Sequence, residues 1–124
     1  MQDLPQLDTM NISANQLDNL NLSCSENKLA SLDIRELKEL IHLNIGNNQI
    51  TSIDLNEQAD LLNFYCNINP LSALEISKLV KLKILHCSIT NIEFLNIENS
   101  KDLIDLNCYA TKLNALFLKN GAKN

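Results

Sequence analysis

The chain has 124 residues, 45% of them hydrophobic and 20% charged, which is one domain's worth of ordinary globular composition and speaks against a disordered chain. Its 15 Asp and Glu against 10 Lys and Arg give a net charge of -5 and no counter-charge for a phosphate backbone, so nucleic acid and anionic membranes are disfavoured as partners. No apolar run approaches the ~20 residues that a membrane-spanning helix needs, so no membrane insertion is expected.

The N-terminal stretch MQDLPQLDTMNIS lacks a basic region followed by an apolar core, so it does not read as a signal peptide. The chain is therefore expected to be cytoplasmic if complete, and cell-surface or secreted if it is a fragment. Leu7, Met10, Ile12, Asn15 and Leu17 imitate the strand and bend of the pattern that follows, but Asn15 precedes Asn27 by 12 residues instead of 21. Parallel strands need a crossover of about a dozen residues or more. Residues 1–18 are accordingly expected to form an N-terminal cap, as an irregular segment or small hairpin.

From residue 19 one pattern takes over. Leu40 to Leu55, LIHLNIGNNQITSIDL, states it most fully as L-x-x-L-x-I-x-x-N-x-I-x-x-I-x-L, and forward steps of 21 residues meet Leu61, Leu82 and Leu103. One step back reaches Asn19, after which Leu22, Cys24, Asn27, Leu29, Leu32 and Ile34 fit again. Of thirty apolar slots in five turns only Asn19 breaks the rule, so residues 19–118 read as five repeats of 21 residues. A single turn buries too few side chains to offset the entropy of ordering it, so the turns must stack.

Within each turn, two apolar residues spaced by two, such as Leu43 and Ile45, signal a short strand with the intervening residue pointing outward. A bend residue follows: Asn27, Asn48, Asn69, then Thr90 and Thr111. Stacked Asn side chains can satisfy the backbone groups that a turning chain leaves unpaired, whereas Thr does so less fully. A second apolar pair, such as Leu32 and Ile34 or Leu95 and Ile97, predicts a second short extended segment. The return to the next turn is short for a helix, with ISKLVK at 76–81 the best helical candidate. Residues 119–124 form a polar C-terminal tail too short to cover the last turn. The strand around Leu106 is then an open edge, which predicts either a homo-oligomer through that edge or a longer array.

Cys66, Cys87 and Cys108 are 21 residues apart and share a column with Cys24, Ile45 filling the turn between Cys24 and Cys66. At about 4.8 Å per turn, Cys24 and Cys66 lie beyond disulfide reach. Cys66 with Cys87, or Cys87 with Cys108, meets the distance limit, but a slot shared with Ile45 reads more simply as a small buried hydrophobe. Sulfurs in a straight row cannot surround a zinc ion tetrahedrally, and no metal or other cofactor is expected.

With these residues in hand, the chain resembles the leucine-rich-repeat proteins, in the bacterial internalin-like and Bacteroidetes surface-protein type. LNLSCSENKLASLDI, LNFYCNINPLSALEI and LIDLNCYATKLNALFL carry the likeness, which covers residues 19–118. It implies a β-rich solenoid: a right-handed coil with a parallel sheet of about five short strands, second short strands and little helix. It also implies a protein-binding module, frequently at a cell surface.

The alternation places Asn21, Ser23, Ser25, His42, Asn44, Gly46, Asn63, Tyr65, Asn67, Ile84, His86, Ser88, Asp105, Asn107 and Tyr109 on the outward face of the first strands. Tyr65, Ile84, His86 and Tyr109 form an apolar and aromatic cluster flanked by Asn44, Asn63, Asn67 and Asn107, with Ile68 and Ile89 at its edge. This is the composition of a contact hot spot for a protein or peptide. Phe64 is expected in the core, and Phe94 and Phe117 in the second-strand region.

Catalysis fails on geometry. His86 and Cys87 are strand neighbours and point to opposite faces, so they cannot form a nucleophile pair. Asp105 can pair with His86 across one turn, yet no nucleophile or glycine-rich phosphate loop accompanies them. The row Asp33, Asp54 and Glu75 reads as solvated carboxylates rather than a cation site. The expectation is a non-enzymatic protein- or peptide-binding module; the alternatives are a structural piece of a longer surface array and a small cytosolic inhibitor or immunity-type protein.

Overall fold

A computed structural model describes residues 9–11 and 20–117. In chain order its strands are β1 (Thr9–Asn11), β2 (Asn21–Ser23), β3 (Ser31–Asp33), β4 (His42–Asn44), β5 (Asn63–Tyr65), β6 (Ile84–His86), β7 (Phe94–Asn96), β8 (Asp105–Asn107) and β9 (Ala115–Phe117). The first strands of successive turns form one five-stranded parallel sheet in the order β2-β4-β5-β6-β8. Leu22, Leu43, Phe64, Leu85 and Leu106 are successive Cα partners across it, so one inward column runs the length of the coil. Each strand is only three residues long, and in β4, β5 and β6 the central side chain alone is fully buried, as the period of two requires.

Behind this sheet the apolar slots close into one core. Leu40, Leu61 and Leu82 are fully buried, as are Ile50, Leu71 and Ile92 beyond the bend. The last described turn is less covered: Leu103, Leu106, Cys108 and Leu113 are only partly buried. One further column, Leu37, Gln58, Leu79 and Ser100, is buried although the repeat formula leaves it blank. It lies in the returns, where each member sits between two tight turns. Leu37 donates its amide to Ile34 O at 2.9 Å, and Leu79 donates to Ile76 O at 3.0 Å. These bonds restart after every third residue, so ISKLVK makes a pair of turns, and no helix occurs among the described residues.

The bend residues join the turns. Asn48 donates through Nδ2 to Ile45 O and Gly46 O in its own turn and to Cys24 O in the turn before, and its Oδ1 accepts the amide of Leu29. Asn69 repeats this with Ile45 O, Cys66 O and the amide of Ile50. Thr90 and Thr111 donate only to the carbonyls of Cys87 and Cys108 within their own turns. The shorter hydroxyl stays within its own turn where the amide bridges two.

The second segments differ from the expectation of a strand in every turn. Strands form at β3, β7 and β9, with β1 beside β3 and β7 beside β9, whereas 52–54 and 73–75 lack strand pairing. Leu55, Leu74 and Ile76 are buried all the same, so the inward spacing persists without the ladder.

The N-terminal reading is corrected at one place. β1 pairs in parallel with β3, Met10 opposite Leu32, instead of folding into a hairpin. TMN at 9–11 therefore aligns with SLD at 31–33, an offset of 22 residues (32 minus 10), and lies beside a second segment rather than a first strand. The remaining conformation of residues 1–18, and that of the tail at 119–124, lies outside the described residues.

Candidate functional site

Strand register sets the outward face in rows. His42, Asn63, Ile84 and Asp105 are successive partners along one row, and Asn44, Tyr65, His86 and Asn107 along the next. Beyond the strand ends the ladder continues, Cys66 donating to His86 O at 2.8 Å and Ile68 to Ser88 O at 2.9 Å. That continuation carries a third row, Ser25, Gly46, Asn67, Ser88 and Tyr109, alongside the first two.

At the centre the Tyr65 and His86 rings meet edge to face with centroids 5.0 Å apart. His86 Nε2 also lies 3.1 Å from Asp105 Oδ2 in the next turn. His86 is thus held between an aromatic ring and a carboxylate, and both contacts fix its rotamer. The ion pair is largely solvated and adds little stability when it forms. On the first row, Asn63 Nδ2 contacts His42 Nδ1. Ile84, half-buried, has Asn63 and Asp105 as its register partners.

Two of the flanking amides are committed to local turns. Asn44 Oδ1 accepts the amide of Gly46 at 3.0 Å, and Asn107 Oδ1 accepts that of Tyr109 at 3.1 Å. Tyr109 is 74% exposed and stands in the last described turn, two turns from Tyr65, so it extends the face without joining the central pair.

Past the third row runs a ridge of left-handed residues, Glu26, Asn47, Ile68, Ile89 and Ala110, with φ between 53° and 59°. Ile68 and Ile89 are β-branched residues in a conformation costly for that shape, and both expose their side chains along the border of the aromatic pair.

An open hollow of about 360 Å³ lies where Asn44, Tyr65, Asn67 and His86 converge, and Ser25, Glu26, Gly46 and Ile68 complete its walls. Ile84, Asn63, Asn107 and Tyr109 are not part of it. Sequence reasoning placed Ser25 and Gly46 on the outward face but outside the contact cluster, and did not name Glu26. The available signal was a glycine in a slot that other turns fill with Asn67, Ser88 and Tyr109. A larger hollow of about 470 Å³ is lined by Lys83 and Lys101–Ile104 and shares no residue with this one.

The carboxylate row has a local explanation. Asp33 and Asp54 accept the amides of Arg35 and Asn56 two residues on, and Glu75 accepts that of Ser77. Arg35 also grips Asp33 through two guanidinium bonds, and these hold its carboxyl down at about 2. Among the described residues no group of three His, Cys, Asp or Glu could hold a metal ion. All four cysteines are free, and burial pushes the Cys24 thiol up to about 11 and that of Cys87 to about 12.

No protein-family model matches the chain, and no curated protein matches it. Among solved structures it is similar to the functional domain of InlJ from Listeria monocytogenes, which includes a cysteine ladder. The TM-score is 0.78 at 25% identity, over 97% of this chain and 37% of that one. TLR13, solved in complex with ssRNA13, matches with a TM-score of 0.67 at 24% identity, over 91% of this chain and 19% of that one. The leucine-rich-repeat domain of APL1 gives 0.64 at 17% identity, over 89% and 36%. The chain thus spans 37% or less of each of these structures. Together with its own period and parallel sheet, these likenesses show a leucine-rich-repeat solenoid, similar to the InlJ domain and consistent with an internalin-like protein that carries a column of cysteines.

Proposed function

We propose that this protein is a non-enzymatic module that binds a protein or peptide on the outward face of its first strands, centred on Tyr65 and His86. The observation that carries this reading is the edge-to-face pair of those residues, 5.0 Å apart, on a face built mostly of small polar side chains. Aromatic side chains bury large area at low entropic cost, and the surrounding amides can hydrogen-bond an extended backbone. Ile84 and Tyr109 extend the apolar contact, with Asn44, Asn63, Asn67 and Asn107 flanking it.

The RNA in the TLR13 complex belongs to that protein. Here none of the outward residues is Lys or Arg, and Asp105 and Glu26 stand where a phosphate backbone would need cations. A protein partner fits that charge better.

Replacing Tyr65 and His86 together by Ala is expected to abolish binding of peptides selected on the parent protein while leaving the melting temperature unchanged. Undiminished binding would refute the face. A secondary reading, self-association through the last turn, draws on the exposure of Ile104 and Leu116 beside the partly buried Leu103 and Leu113. A monomer at all concentrations in sedimentation equilibrium would dismiss it.

A further inference from the structure

We infer that the hollow over Gly46 receives a cationic side chain, arginine or lysine, from the bound peptide; this rests on the first-strand face being the docking surface. The bend after β4 does not need glycine for its conformation, because the left-handed φ of 56° belongs to Asn47. What Gly46 contributes is the absence of a side chain. A Cβ there would stand 3.3 Å from Asn44 Oδ1, 3.4 Å from Asn67 O and 3.5 Å from Asn67 Oδ1. The floor is therefore ringed by oxygens, and a neighbour would have to shift before any larger residue fitted.

Those oxygens present negative partial charge in a fixed arrangement. Asn44 Oδ1 is held by the Gly46 amide, and Asn67 O by the amide of Asn47 at 2.9 Å. Glu26 lies on the wall, its backbone tied to Gly46 O at 2.9 Å, and among the described residues it makes no salt bridge. Tyr65 and Ile68 supply the apolar walls against which the stem of a long cationic side chain packs.

The number of charges selects the occupant. One carboxylate with oriented amide oxygens balances a single organic cation, and a guanidinium or ammonium has donors for several acceptors at once. A calcium ion takes six to eight oxygens and usually more than one carboxylate, which this wall does not supply. An anionic side chain seated over Gly46 would meet Asn44 Oδ1 and Asn67 O, with the Glu26 carboxylate on the wall. The net charge of -5 favours the approach of a basic segment in the same sense.

The test uses short random peptides displayed on phage and selected on the whole protein, followed by synthesis of the enriched sequences. The expected result is a basic residue at a constant position relative to an apolar one. Its replacement by citrulline, or by acetyl-lysine, should weaken binding about tenfold or more. Glu26→Gln should weaken the basic peptide and leave the neutral one nearly unchanged, and Gly46→Leu should act likewise by filling the hollow. Glu26 is exposed, so the first variant reports even where the second fails to fold. Enriched peptides without a basic residue that still need Tyr65 and His86 would overturn the hollow and leave the docking face standing. Peptides indifferent to Tyr65 and His86, or no enrichment, would overturn the face and the hollow together.

Discussion

The amide of Leu29 donates to Asn48 Oδ1 across 2.9 Å, from one turn of the coil to the next. The same Asn48 side chain donates to Cys24 O at 3.0 Å, so a single buried amide closes two backbone groups of its neighbour. Asn48→Ala should cost about 2 kcal/mol, because it leaves the buried Leu29 amide without a partner, whereas Cys24 O keeps the Asn27 Nδ2 donor at 3.0 Å. Asn48→Thr should cost less, and Thr90→Asn should gain about 1 kcal/mol by extending the ladder one turn. Urea midpoints at constant slope measure all three, and a destabilised Thr90→Asn would contradict the ladder argument.

Gln58 stands in the column of Leu37 and Leu79 with its Oε1 buried and unpartnered. Its Nε2 donates to Ile34 O and Leu37 O, which already accept the backbone amides of Leu37 and Leu40. Gln58→Leu removes an unsatisfied oxygen and matches the residues above and below, so stability should rise by about 1 kcal/mol. A fall of similar size in the urea midpoint would show that the two donated bonds outweigh the orphaned oxygen.

Both outcomes bear on what a sequence displays. The period, the inward columns and the outward rows were legible because apolar side chains mark them directly, from Leu43 to Phe64 to Leu85. The return column was not, since Gln58 and Ser100 occupy half of it and disguise a buried position as a polar one. Met10 was placed in the wrong half of a turn because both halves carry the same apolar spacing, and only the offset of 22 to Leu32 separates them. The hollow over Gly46 was invisible for a related reason: it is made by a missing side chain, and its oxygens come from Asn44 and from the backbone of Asn67.

The thiols give a test in alkali. Burial holds Cys24 and Cys87 protonated up to about 11 and about 12, against 9.0 for an exposed thiol, and pushes Cys66 up as well. Between those values the unfolded chain binds fewer protons than the folded one, so stability is full below 9.0 and falls as pH rises through the folded values. In native protein at neutral pH, a thiol reagent should label partly exposed Cys108 first, and Cys24, Cys66 and Cys87 only on unfolding. Equal labelling of all four without denaturant would contradict the packed column.

In acid the sign reverses. Arg35 holds the Asp33 carboxyl at about 2, against 3.8 for an ordinary aspartate, so its stabilisation is present above 3.8 and is lost as pH falls through about 2. Arg35 is exposed and Asp33 partly so, and the effect on global stability should be small. Carbon-detected NMR titration of Asp33 should give a midpoint near 2 that returns toward 3.8 in Arg35→Gln. An unchanged midpoint in the variant would remove Arg35 as the cause.

The central claim is that partners dock on the outward face of the first strands. Amide chemical shifts of the labelled protein, followed as a selected peptide is added, report the contact residue by residue. The account predicts saturable changes along Asn63–Tyr65, Ile84–His86 and Asp105–Asn107, lost when Tyr65 and His86 are both Ala. Changes confined to the returns around Glu36, Glu57 and Lys78, with the strands silent, would contradict it.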